Sequence, residues 1–218
     1  MIGALMSPNI SAQKENKSAY CEIEITDDVE EWEGDLLDDT VPPFDPDLVA
    51  TFGKKSAKVE VIKYFSLSCS GCLDFLEEDF PKIERAYIDR GKLLWHFKPL
   101  PADFLTVRAM ALFEVSSAED RREFMRTISD YVDDFNPHPS DTVLERYQLD
   151  KGIPPGLWID KKGGNLASSQ TVAESAELWK SEAFPHLYNF FVITNEKRRA
   201  YDVEPTKALI DKIMQSIS

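Results

Sequence analysis

The chain is predicted to adopt an α/β fold whose strands fall into two groups separated by a helical stretch. Three observations support this. A strand–helix–strand run occupies residues 57–99, the next 80 or so residues carry no strand signal, and a hairpin followed by a helix closes the chain.

Residues 57–68, AKVEVIKYFSLS, are rich in Val, Ile, Tyr and Phe and predict a buried strand. A helix follows, because Leu73, Leu76, Phe80, Ile83 and Tyr87 recur at offsets of three and four and share one face. Pro81 falls inside that pattern and predicts a kink, and Gly91 ends the helix. Residues 92–99 form a second strand, stopped by Pro99 and Pro101. A strand–helix–strand unit of this length implies a right-handed crossover and a parallel pair.

From Ala102 to Ala183 the spacing predicts helices around Val107–Val115, Phe124–Val132, Thr142–Leu149 and Thr171–Ala183, with glycines and prolines punctuating the region around Leu157–Ile159. Asn189–Thr194 is a strand, Asn195–Glu196 a turn and Lys197–Tyr201 the returning strand. Pro205 is expected at the first position of a last helix, whose apolar face is Leu209, Ile210, Ile213, Met214 and Ile217. The expected organisation is therefore an acidic, partly disordered arm over 1–47, an α/β domain over 48–102 and 184–218, and an inserted all-helical domain over 103–183.

The 218 residues carry 39 acidic and 25 basic side chains, a formal charge of −14. That balance argues against a nucleic-acid or anionic-membrane partner, both of which call for clustered Lys and Arg. No apolar run approaches the length of a membrane span. The charge is local: twelve acidic residues and no basic one lie between Glu22 and Asp47, leaving 27 acidic and 25 basic residues elsewhere. Such a block is expected to be a solvated arm, although interleaved apolar residues such as Trp32 and Phe44 would allow part of it to dock. The opening MIGALMSPNISA lacks the basic start and unbroken apolar core of a secretory signal.

The chain has three cysteines, Cys21, Cys69 and Cys72. Cys69-Ser70-Gly71-Cys72 stands where the first predicted strand meets its helix, so one helical turn brings both sulfurs within disulfide reach. Cys69 would face unpaired helix N–H groups that favour a thiolate, making it the nucleophile, while Cys72 would resolve the mixed disulfide. Competing readings are two buried packing cysteines, half of a zinc site completed by Cys21 or a histidine, and a permanent structural disulfide. None of His96, His138 and His186 stands at a recognisable ligand spacing, so no metal is expected. Cys21 is expected to be a bystander thiol, with pairing to another chain as the alternative.

The run VEVIKYFSLSCSGCLDFLEEDFPKIERAYIDRGKLLWHFKPLP resembles the DsbA-type branch of the thioredoxin superfamily. The match lies in the aromatic pair and serine before the first cysteine, the Phe and Pro inside the helix, and the strand ending in Pro-Leu-Pro. The resemblance spans about residues 48–218 and implies a thioredoxin fold with an inserted helical domain. It further implies a thiol–disulfide oxidoreductase, periplasmic or otherwise exported, acting on protein thiols and served by a redox partner protein. The redox-active disulfide Cys69–Cys72 would be the only redox group, with no added cofactor. A dimeric isomerase would need an N-terminal dimerisation domain, for which residues 1–47 are short and acidic, so a monomer is expected.

Three departures from the family pattern bear on the site. Lys63 stands six residues before Cys69, where the family has an acid; pointing inward, it would lower the Cys69 pKa. Ser70 and Gly71 occupy the positions between the cysteines, where strongly oxidising members place a histidine, which predicts a milder oxidant than DsbA. The family's substrate-facing cis-proline aligns with Tyr188, and the only nearby proline is Pro185, so either Pro185 takes that role or the loop is remodelled around Leu187-Tyr188. The rival of another class is a thioredoxin-like binding module without exchange activity, delivering a soft metal through the dithiol or docking a partner through the acidic arm.

Overall fold

The computed structural model describes residues 35–37, 45, 48–100, 103–132, 142–152, 189–195 and 197–217. In chain order the strands are β1 (Asp35–Leu37), β2 (Ala50–Phe52), β3 (Val59–Phe65), β4 (Leu93–Pro99), β5 (Phe190–Thr194) and β6 (Arg198–Tyr201). They form one sheet in the order β1-β6-β5-β3-β4-β2. β3 and β4 are parallel, as the crossover requires, and β5 and β6 run antiparallel beside β3.

Between β3 and β4 the chain is helical in four consecutive pieces: α1 (Ser70–Asp74), a π turn (Phe75–Asp79), α2 (Phe80–Ile83) and a second π turn (Glu84–Ile88). Pro81 stands one residue past the C-cap end of the first π turn, where the Phe80 N–H reaches back to the Phe75 carbonyl. The missing proline N–H is accommodated by widening the helix rather than by breaking it. Gly91 ends the run at φ +70°, with its N–H on the Ile88 carbonyl and the Lys92 N–H on that of Tyr87.

The insert supplies α3 (Phe104–Val115), α4 (Ala118–Thr127), a 3₁₀ turn (Ile128–Tyr131) and α5 (Thr142–Asp150). The expected helix over Thr171–Ala183 and the segment around Leu157–Ile159 lie outside the described residues. The last helix, α6 (Lys207–Ile217), begins later than expected. Thr206 caps it, its hydroxyl accepting from Leu209 N at 3.2 Å and its carbonyl from Ile210 N at 3.0 Å, so Pro205 precedes the helix instead of opening it.

Two strands go beyond the sequence reading. β2 pairs antiparallel with β4 at one edge of the sheet, and β1, drawn from the acidic arm, pairs antiparallel with β6 at the other. Part of the arm is thus sheet rather than a solvated chain, with Leu36 and Leu37 in register with Arg199 and Arg198.

The core lies where the helical run and insert meet the face of the sheet bearing Val61, Phe65, Trp95 and Phe97. Phe80 is its hub: its ring centroid lies 4.7 Å from that of Phe97 and 4.9 Å from that of Phe52, both edge-to-face. This packing holds the helical run against β2 and β4, beside the junction that carries the cysteines.

Candidate active site at the strand–helix junction

β3 ends at Phe65, and the chain turns through Ser66, Leu67 and Ser68 before Cys69 caps α1. The Cys69 N–H is held by the Ser66 carbonyl at 3.3 Å, and its own carbonyl accepts from Leu73 N at 3.2 Å. The turn is tied to the insert. Ser66 Oγ donates to Asp103 Oδ2 at 2.6 Å, and the Leu67 N–H donates to Thr106 Oγ1 at 2.7 Å. Asp103 also caps α3, accepting from Thr106 N at 2.8 Å. One carboxylate therefore positions both the cysteine turn and the first helix of the insert.

The two cysteines differ in environment. Cys69 is partly exposed and packs at the margin of the core, while Cys72, one turn on, is 6% exposed. Ser70 is exposed, and a Cβ added at Gly71 would meet nothing within 4 Å, so the two residues between the cysteines leave Cys69 accessible. Cys69 is disulfide-bonded and Cys72 is a free thiol. The expected Cys69–Cys72 disulfide is therefore not the bond formed here. Cys21, the third cysteine, lies outside the described residues.

Lys63 points inward from β3 and is wholly buried. It serves the second cysteine rather than the first, because its Nζ lies 3.6 Å from Cys72 Sγ. Its other partners are the Tyr64 carbonyl at 2.7 Å, Asn189 Oδ1, and Glu204 at 3.0 Å to Oε1 and 3.1 Å to Oε2. Asn189 Nδ2 in turn donates to Glu204 Oε2 at 2.9 Å. A lysine can be buried here because a carboxylate and an amide meet it.

Burial pushes the Cys72 thiol above its ordinary 9.0, the Lys63 ammonium opposes that rise, and the Glu204 carboxylate adds to it. Burial alone would lower Lys63, but the negative charges at Cys72 and Glu204 outweigh it and hold the ammonium above 10.5. With Cys72 protonated, Glu204 is the standing counter-charge.

Neither Glu204 nor Asn189 was a sequence candidate. Pro185 and Tyr188, the expected substrate-facing residues, lie outside the described residues. Among the described residues no group of three or more His, Cys, Asp or Glu is placed to hold a metal ion, and no helix is long and apolar enough to cross a membrane.

A two-cysteine turn between a central strand and its crossover helix, followed by a helical insert, is the layout of a thioredoxin fold with a helical insertion. Residues 47–183 match the thioredoxin family model, and the chain belongs to that family. Among solved structures it is similar to Wolbachia pipientis alpha-DsbA1 at 20% identity and TM-score 0.63, covering 81% of this chain and 92% of that one. It is also similar to Chlamydia trachomatis DsbA at 20% identity and TM-score 0.57, covering 83% and 96%, and to oxidised BdbD from Bacillus subtilis at 16% and 0.61, covering 79% and 94%. These likenesses establish the shared fold. No match is found among curated protein sequences.

Proposed function

We propose that the chain is a thiol–disulfide oxidoreductase acting on protein thiols through Cys69 and Cys72. The observation that carries this is the split between the two sulfurs: a partly exposed Cys69 at the strand–helix junction, and a buried free Cys72 one turn behind it. In the reductive direction, Cys69 thiolate attacks a substrate disulfide, one substrate sulfur leaves as thiolate, and Cys72 then displaces the other. The product is a Cys69–Cys72 disulfide, with two electrons passed to the substrate and no added cofactor. Run backwards, the same steps oxidise a substrate dithiol. A partner protein resets the pair, and the direction follows from its potential and the compartment.

The site also supports a milder oxidant than DsbA. Ser70 and Gly71 place no imidazole between the cysteines to stabilise the reduced form, and burial holds Cys72 in its protonated state. An exported, oxidising compartment such as a periplasm suits such a dithiol. The division that goes with this reading is an arm over 1–47, whose residues 35–37 join the sheet edge, a thioredoxin-like domain over 48–102 and 184–218, and an insert over 103–183, with a monomer as the working unit. No observation favours the metal-delivery or arm-docking alternative.

The test is catalysed reduction of a protein disulfide by a dithiol reductant, and oxidation of a reduced protein by glutathione disulfide. Activity in at least one direction that disappears in Cys69→Ser supports the proposal. Stoichiometric metal with no exchange in either direction would sink it, and a glutathione equilibrium as oxidising as that of DsbA would remove the milder-oxidant reading.

A further inference from the structure

We propose that Cys21, on the acidic arm, is an intramolecular disulfide partner of Cys69, giving the oxidised chain a second disulfide in exchange with Cys69–Cys72. The inference goes beyond the exchange reading above and rests on it for the reactivity of Cys69.

Cys69 is disulfide-bonded while Cys72 is a free thiol, and Cys21 is the one other cysteine among the 218 residues. Within a single chain it is the sulfur left to complete the bond. The surroundings of the two cysteines suit that division. Cys69 is partly exposed at the margin of the core, with an exposed Ser70 and an unobstructed Gly71 beside it, so a segment from outside the fold can approach it. Cys72 is 6% exposed, with Lys63 Nζ 3.6 Å from its sulfur, and is closed to such a segment.

The sheet brings the arm to the right end of the molecule. Asp35 of β1 is in register with Ala200 of β6, Ala200 with Phe191 of β5, and Phe191 with Ile62 of β3. β1 runs antiparallel to β6, and both β6 and β3 run antiparallel to β5, so the residues before Asp35 join the sheet at the end where β3 leads into Cys69. Asp35 lies three strands across from Ile62, about 14 Å at the usual strand spacing, and Ile62 to Phe65 adds about 10 Å along β3. Cys21 precedes Asp35 by fourteen residues. A chain of that length reaches at most about 46 Å, and a random coil of the same length spans about 20 Å. The tether therefore matches its gap, the condition that favours a bond within the chain over one between chains.

The exchange consumes nothing. Cys21 gives up its proton and attacks the Cys69 sulfur of a Cys69–Cys72 disulfide. The Cys21–Cys69 bond forms, and Cys72 leaves as a thiolate that takes a proton from water. Attack by Cys72 on Cys69 reverses the step and frees Cys21. Each form holds one disulfide and one thiol, so no outside oxidant or reductant enters. In the Cys21–Cys69 form the arm occupies the accessible sulfur, and a substrate thiolate attacking Cys69 expels Cys21 instead of Cys72.

The experiment oxidises the full chain with glutathione disulfide, alkylates free thiols in acid, digests with trypsin and reads the peptides by mass spectrometry. Cys21 falls in the peptide 18–54, while Cys69 and Cys72 share 64–82. The two peptides should be recovered joined, with the alkyl label on Cys72. The protein should remain monomeric in non-reducing electrophoresis, and an about tenfold dilution before oxidation should leave the joined fraction unchanged. Cys72→Ser, which removes the competing pair, should give the same joined peptides. Label confined to Cys21, with 64–82 closed on itself, would overturn the proposal. So would joined peptides found only in a disulfide dimer, or a Cys72→Ser variant that carries glutathione on Cys69 and never bonds Cys21. Exchange activity measured on the same samples keeps the failures apart. A chain that exchanges disulfides without ever bonding Cys21 overturns this inference alone, whereas a chain whose Cys69 exchanges with nothing overturns the reading beneath it as well.

Discussion

Lys63 Nζ lies 3.6 Å from Cys72 Sγ, so the lysine that precedes the dithiol by one strand serves its buried member. Lys63 offsets part of the rise that burial imposes on Cys72. Replacing it with methionine should therefore move the Cys72 ionisation further up, and should move that of Cys69 less. Thiolate absorbance titrated in single-cysteine variants, with and without Lys63→Met, checks this. A larger shift at Cys69 than at Cys72 would reassign the lysine to the first cysteine.

The unequal burial of the two sulfurs sets unequal consequences for their loss. Cys69→Ser should abolish exchange, because the buried Cys72 cannot reach a protein substrate. Cys72→Ser should form adducts with thiol substrates but release them slowly, so that a covalent complex accumulates under non-reducing electrophoresis. Equal trapping by both variants would contradict the roles assigned here.

Much of the architecture was legible in local pattern. β3, β4, β5 and α6 announce themselves by apolar runs or by spacing, and Cys69-Ser70-Gly71-Cys72 by its place between β3 and α1. β1 and β2 were not, because each is a three-residue strand too short to show alternation. The first depends on backbone pairing with β6, which no local composition encodes. Glu204 was missed for a related reason. It stands 141 positions from Lys63, in a short segment before α6 that reads as a turn, and only the pairing of β3 with β5 brings the two regions together. Asp103, by contrast, could have been found: an acid three residues before a threonine, ahead of an apolar run, is a helix-capping signal.

Asp103 couples the insert to the cysteine turn, which makes Asp103→Ala informative. Loss of the cap should cost about 0.5–2 kcal/mol, measured by urea denaturation. Ser66 Oγ loses its 2.6 Å acceptor at the same time, so the turn before Cys69 should loosen. Faster hydrogen exchange at the Leu67 and Cys69 amides would report that loosening. A stability loss without it would confine Asp103 to capping.

Two glycines should respond in opposite directions to alanine. Gly53 sits at φ +97°, and a Cβ there would lie 2.5 Å from the Leu93 carbonyl oxygen, a backbone atom of β4. Gly53→Ala should therefore destabilise by more than about 1 kcal/mol, because it adds a clash to an unfavourable backbone conformation. Gly71 lies within α1 in open space. Gly71→Ala should be neutral or stabilise by up to about 1 kcal/mol, since alanine is the better helix former. Comparing the denaturation midpoints of the two variants tests both, and equal losses would contradict the geometry.

Away from the cysteines, His96 on β4 bridges two strands. Its Nδ1 lies 2.9 Å from Thr51 Oγ1 on β2, and its Nε2 lies 3.0 Å from Glu60 Oε1 on β3. The His96 hydrogen bond is the largest influence on Glu60. With the imidazole charge it outweighs partial burial and holds the carboxyl below its ordinary 4.5. A carboxyl whose folded-state pKa is depressed binds protons less readily in the native chain than in the unfolded one. Its contribution to stability is therefore complete above 4.5 and is lost as the pH falls through the folded value. Glu60→Gln has no such proton to take up, so its stability should fall less steeply than the wild type's on the acid side of 4.5. Just above that value, where the imidazole keeps its charge, the two profiles should run parallel with the variant lower. Because Glu60 is 33% exposed, solvent screens the pair and the separation should shrink in high salt. Urea midpoints measured across the acid range at low and high salt check both points, and parallel profiles throughout would remove the Glu60–His96 pair from the acid stability of the sheet.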